Sequence, residues 1–141
     1  MKVQIVESDN QLKDAFTVRK KVFIEEQQVP ADLEMDEHDH TTATHFIGYD
    51  DELPIAAGRL RILDEYGKLE RICVLRDLRG KSYGKQMIEQ MEHHLKSNGV
   101  SKAKLNAQTH ALKFYRSLGY EQVSEEFMDA GIPHVTMVKS L

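Results

Sequence analysis

The chain has 141 residues, is 40% hydrophobic and 30% charged, and carries a formal net charge of −4 with a single cysteine, Cys73. That size and composition fit one soluble domain with a single core, spanning residues 1–141. No apolar run approaches the roughly 20 residues of a membrane span, "MKVQIVESDN" lacks a signal-peptide pattern, and one cysteine excludes an internal disulfide and fits a reducing compartment, so a cytoplasmic protein is expected.

In chain order, "VQIV" (Val3 to Val6) reads as a short strand, and Ser8 and Asp9 can cap the helix after it. In "QLKDAFTVRKKVFIEEQ", Leu12, Ala15, Phe16, Val22 and Phe23 recur at helical spacing, which predicts one long amphipathic helix. Residues 30–43 read as an acidic loop with room for a short helical turn. "THFIGYD", "LPIAAGRLRILDE" and "KLERICVL" are strands, with turns at "DDELP" and at Tyr66–Gly67. Joins this short make them antiparallel.

Tyr83, Met87, Ile88, Met91 and Leu95 then mark the buried stripe of a second helix, which stops at Ser97–Gly99. "VSKAKLNAQ" is a strand, so strand, helix and strand form a parallel crossover. Thr109 can cap a short helix, "HALKFYRSL", which ends at Gly119. "YEQVSEEFM" and "HVTMVKSL" pair around "DAGIP". The order β-α-βββ-α-β-α-ββ defines an α+β fold: a mixed, mostly antiparallel sheet of about seven strands with helices on both faces.

Charge is unevenly placed. Residues 1–58 carry 5 Lys/Arg and 13 Asp/Glu, and residues 59–116 carry 13 and 6. No Lys or Arg occurs between Val22 and Gly58. An acidic surface facing solvent would account for this. So would a division in which the basic middle meets an anion and the acidic part meets a cation. Without an overall basic excess or aromatic-basic interleaving, nucleic acid is not an expected partner.

The segment "CVLRDLRGKSYGKQMIEQM" places a basic, glycine-containing loop between a strand and a helix. "GKS" does not make a nucleoside-triphosphatase loop, because the first glycine of that pattern would fall at Leu75. The arrangement is still an anion site. The first amides of a helix lack internal partners and lie at the positive end of its dipole. Gly80 and Gly84 allow close approach to the backbone, and Arg79, Lys81 and Lys85 add charge.

"LRGKSYGKQMIEQMEHHL" resembles the signature loop and helix of the GNAT superfamily of acetyl-CoA-dependent N-acetyltransferases, with Arg79, Gly80, Lys81, Ser82, Tyr83 and Gly84 in the Arg/Gln-x-x-Gly-x-Gly/Ala pattern. Ser82 departs from it where the first glycine is usual. "LERICVLRDLRG" resembles the family's central strand, and "LNAQTHALKFYRSLGY" its strand and helix ending in Phe-Tyr. "RKKVFIEEQQVP", "EMDEHD" and "EEFMDAGIPHVTM" resemble the ElaA-like branch.

The resemblance implies acetyl-CoA as cosubstrate and a small-molecule or peptide amine as acceptor. It implies that the pantetheine arm pairs with Ile72, Cys73 and Val74 on a bulged strand that splays from its parallel neighbour. The diphosphate would meet the loop from Arg79 to Lys85, and Asn106 would stand beside the cofactor. Tyr115 would protonate the leaving thiolate. The resemblance also allows a homodimer through the final strands.

Glu70 is a candidate base; Arg59, Arg61 and Arg71 are alternative ion-pair partners for it. Cys73 reads as a buried strand cysteine rather than a nucleophile, since no activating histidine adjoins it. "DEHDHTTATH" gathers Asp36, His38, Asp39, His40 and His45, but without the helical histidine spacing or cysteines of a zinc site, so no metal is expected. Glu25, Glu26, Asp36 and Asp39 read instead as an acidic lip for a cationic amine, while His110 and His134 either line the cleft or pack locally. An acetyltransferase acting by direct attack of a primary amine is thus the reading, with a non-catalytic coenzyme A-binding or sensing module as the alternative.

Overall fold

A computed structural model describes all residues, Met1 to Leu141. The elements run β1 (Lys2–Ile5), α1 (Asp9–Arg19), α2 (Ala31–Glu34), β2 (Thr44–Asp50), β3 (Leu53–Leu63), β4 (Tyr66–Val74), α3 (Tyr83–Ser97), β5 (Lys102–Gln108), α4 (Leu112–Ser117), β6 (Glu121–Gln122), β7 (Phe127–Asp129) and β8 (Ile132–Ser140). All eight strands join one sheet, ordered β1-β2-β3-β4-β5-β8-β6, with β7 also on β8. Only β4 and β5 run parallel. The eighth strand arises because "YEQVSEEFM" breaks into β6 and β7, and both pair with β8.

Two apolar layers enclose the sheet. On one face α3 packs Met87, Ile88, Met91 and Leu95 against Leu60, Leu69, Leu105 and Met137. On the other, α1 lays Ala15, Val18 and Val22 over Ile47, Ala57 and Cys73. The expected long first helix changes winding partway. After Arg19 the chain continues as a π-helix from Lys20 to Glu26, closed by Gln27 N–H donating to Val22 O at 3.0 Å. Side-chain spacing does not distinguish these windings over two turns.

The acidic loop folds into α2 and a 3₁₀ turn from Glu37 to His40, capped reciprocally by Asp36 and Asp39. Tyr66 and Gly67 lie inside β4 rather than in a turn; the reversal is at Asp64–Glu65. Gly67 is a glycine because the Leu95 side chain rests on it, where a Cβ would collide.

Candidate active site

The site is built by an irregularity in β4. Ala57 pairs with Cys73 and Arg59 with Glu70, so Arg71 and Ile72 together face Gly58. Arg71 takes φ 55°, the left-handed conformation of a bulge. Because strand side chains alternate, one extra residue exchanges the faces. Before the bulge Leu69 faces α3 and Glu70 faces the α1 side; after it Val74 packs with α3 and Cys73 with α1.

The strand also loses its parallel partner here. β4 and β5 pair only from Gly67–Leu69 to Ala103–Leu105, although β5 continues along β8 as far as Gln108. Between the diverging ends lies a cleft of about 700 Å³. Ile72, Cys73 and Val74 line one wall, Asn106 and Gln108 the other, with Arg79, Gly84 and Tyr115 at the floor and mouth.

At the mouth stands the loop into α3. Its winding sets Gly80 at φ 81° and Ser82 at φ 65°. The Ser82 side chain caps nothing, and no acidic residue occupies the first turn. The amides of Gly80 through Lys85 donate to no group within the protein. Six unpaired amides at a helix start flanked by Lys81 and Lys85 are suited to a diphosphate. Gly84 lies against Phe114, where a Cβ would stand 3.4 Å from the ring, an ordinary contact. Arg79 itself is engaged. Its Nη1 and Nη2 donate to Glu26 at 2.6 and 2.7 Å, and its Nε donates to Val74 O at 3.0 Å.

Tyr115 lines the cleft, edge-on to Phe114 and Tyr120. Burial, with the nearby Cys73, pushes its phenol up to about 12, so it holds its proton at neutral pH. Burial also pushes the Cys73 thiol up to about 12, consistent with a packed strand cysteine and not with an activated thiolate. Asn106 accepts from the Thr136 hydroxyl at 2.8 Å.

Glu70 is held by arginines. It accepts from Arg61 at 2.6 and 3.0 Å and from Arg59 at 3.0 and 3.2 Å. Burial alone would raise its pKa, but the Arg61 hydrogen bonds and the Arg59 and Lys68 charges overcome it and hold the carboxyl down to about 2. The network continues to Asp36 and Asp39 on Arg59, and to Asp39 and Glu34 on Arg19. Arg19 and Arg59 are 1% and 0% exposed. Arg71 donates to the α2 carbonyls of Leu33 and Glu34 and to Asp36, tying the bulge to α2.

The expected acidic lip therefore does not form. Asp36, Asp39 and Glu26 neutralise arginines instead, and of that set only Glu25 stands outside an ion pair. Two histidines whose place the sequence left open reach the cleft. His134 makes a 2.6 Å contact between Nδ1 and Ile132 O, in which Nδ1 is the donor. His110 lies 2.6 Å from Gln108 Oε1, and Gln108 in turn donates to Gln27 across the cleft at 2.9 Å. His45 sits in the core against Asp39 O.

A bulged strand that parts from its parallel neighbour, beside an uncapped basic helix start, is the arrangement that the resemblance to acetyl-CoA-dependent transferases implies. The family model for the acetyltransferase (GNAT) domain matches residues 5–141. The uncharacterized N-acetyltransferase YjcF of Bacillus subtilis is 49% identical over 140 residues, 99% of each chain. Protein ElaA of Escherichia coli is 31% identical over 95% of this chain and 90% of its own. The crystal structure of Escherichia coli ElaA superposes with a TM-score of 0.90 over 99% of this chain and all of the other. The PaiA N-acetyltransferase of Thermoplasma acidophilum, solved in complex with coenzyme A, shares the fold at TM-score 0.73 and 15% identity. The chain belongs to the GNAT acetyltransferase family and is an acetyl-CoA-dependent acyltransferase.

Proposed function

We propose that the protein moves acetyl from acetyl-CoA to a primary amine by direct attack, with no acyl-enzyme. The observation that carries this reading is the pairing of the β4–β5 gap with the six unpaired amides from Gly80 to Lys85. The amides, with Lys81 and Lys85, would hold the diphosphate. Ile72, Cys73 and Val74 would offer backbone groups to the pantetheine arm, and Asn106 would flank it from β5. One amide of this β4 segment would polarise the thioester carbonyl.

A neutral amine bonds to the carbonyl carbon, the C–S bond breaks, and Tyr115 gives its proton to the departing sulfur. Its raised pKa keeps the phenol protonated at neutral pH, while making it a weaker donor than an ordinary tyrosine. Direct attack fits the inert Cys73. A carboxyl held near 2 is a poor acceptor for the amine's proton. Glu70 therefore serves the reaction by fixing Arg59 and Arg61 beneath the bulge. His134, which lines the cleft and uses Nδ1 toward Ile132 O, is the group proposed to receive the proton.

Calorimetric titration of acetyl-CoA, followed by thiol release across an amine panel, tests the reading. Binding with amine-dependent thiol release is expected. No binding at millimolar acetyl-CoA would refute it.

A further inference from the structure

The long stretch without Lys or Arg does not deliver free acid to the cleft. Four carboxylates line the cleft: Glu34, Asp36, Glu70 and Asp129. The first three are ion-paired, and Asp129 alone is not. A polycation would find one free partner.

The β3–β4 wall has the opposite balance. In the network behind it, Arg19, Arg59, Arg61, Arg71 and Lys68 meet only Glu34, Asp36, Asp39 and Glu70. Three of these five cations, Arg61, Arg71 and Lys68, line the cleft. Arg61 bonds Glu70 through Nε and Nη2 alone. Arg71 likewise uses only Nε and Nη2. Lys68 Nζ lies 3.6 Å from Glu70, beyond a hydrogen bond.

Neither Nη1 group makes a hydrogen bond, the ammonium keeps only its 3.6 Å ion pair with Glu70, and none of the three is sealed from solvent. All three residues line the cleft, with side chains 15, 23 and 25% exposed for Arg61, Arg71 and Lys68. Arg61 and Lys68 are direct cross-strand partners. Burial first, then the charges of Arg59 and Arg19, lower the Arg71 pKa, and Asp36 and Glu34 offset them only in part. Guanidinium N–H pairs and an ammonium together suit a carboxylate or a phosphate.

We infer that the acceptor is an amine that also carries an anionic group, carboxylate or phosphate, seated on Lys68 with Arg61 and Arg71. This rests on the acetyl-transfer reading and names its substrate class.

The test uses the full chain with acetyl-CoA and matched probes: phenylalanine against phenylalaninamide, glucosamine 6-phosphate against glucosamine, and spermidine as polycation. One anionic member should exceed its neutral partner and spermidine at least tenfold in kcat/KM. The pair that shows the preference distinguishes carboxylate from phosphate. Lys68→Ala should compress that ratio at least fivefold through KM, and Lys68→Arg should restore it. Equal or better turnover of the neutral partners, preference for spermidine, or an unchanged ratio in Lys68→Ala would overturn the inference. If acetyl-CoA binds but no probe turns over, probe binding to the coenzyme A complex decides; no tighter binding of either anionic probe than of its neutral partner overturns it. Absence of acetyl-CoA binding is a different failure, that of the acetyl-transfer reading.

Discussion

Arg79 of the signature loop and Glu26, the last residue of the π-helix, form a two-pronged ion pair at 2.6 and 2.7 Å. The pair ties the end of the π-helix to the loop and sets the charge the loop can offer a diphosphate. It is partly exposed, with side chains 41% and 25% accessible. An exposed pair is worth at most about 1 kcal/mol, so a bound anion can compete for Arg79. Glu26→Gln should therefore tighten coenzyme A by about 0.5–1 kcal/mol, at most about fivefold. Arg79→Glu should weaken it by about 1.5–3 kcal/mol. Calorimetry at low salt measures both, and a weaker Glu26→Gln complex would contradict the competition.

Tyr115→Phe keeps the ring that packs on Phe114 and Tyr120 and removes only the proton donor. Coenzyme A affinity should stay within a factor of about two, while kcat should fall about 100-fold, the size of a lost general acid. Steady-state kinetics beside calorimetry separates the two. Turnover equal to the parent would remove Tyr115 from the chemistry.

The arginine–carboxylate network makes stability depend on acid. Glu70, Asp36 and Asp39 all have pKa values below their ordinary ones, Glu70 falling from 4.5 to about 2. A depressed carboxyl contributes stability above its unfolded pKa and loses it as pH falls toward the folded value. The network's contribution to thermal stability should therefore be flat above about pH 5 and drop between about pH 4.5 and 2. Glu70→Gln should cost about 3 kcal/mol at pH 7, because it leaves the fully buried Arg59 short of a partner. It should also show a shallower acid slope. Scanning calorimetry from pH 7 to 3 reads both effects.

Ser82 occupies a left-handed position, φ 65°, without capping the helix it precedes. An L-residue there costs about 1–2 kcal/mol, and glycine gives back part of that through its freer unfolded chain. Ser82→Gly should stabilise the protein by about 0.5–1 kcal/mol, seen as a higher midpoint in urea. A loss of stability would show that the hydroxyl has a partner role.

What could be read from the sequence was local. Gly99 and Gly119 stop their helices at φ 74° and 98°. The loop from Arg79 to Lys85 and the "KFYRSLGY" helix needed only their neighbours to be recognised, and the element order follows from hydrophobic period. What escaped the sequence depends on distant partners. Gly67 looked like a turn because nothing nearby reveals Leu95 above it. Asp36 and Asp39 looked like free acid because Arg19 and Arg59 lie 17 or more residues away along the chain. Arg79 looked free because Glu26 is 53 residues distant. The π-helix keeps the same side chains on one face over its short length, so its register shift left no periodic trace.

The central claim is that the backbone of the loop entering α3 receives the diphosphate of acetyl-CoA. Amide NMR of the full chain during an acetyl-CoA titration tests it most directly. Saturable shifts are expected at Gly80, Lys81, Ser82, Tyr83, Gly84 and Lys85, together with Ile72 to Val74. Unmoved resonances at those positions with millimolar acetyl-CoA would contradict the account.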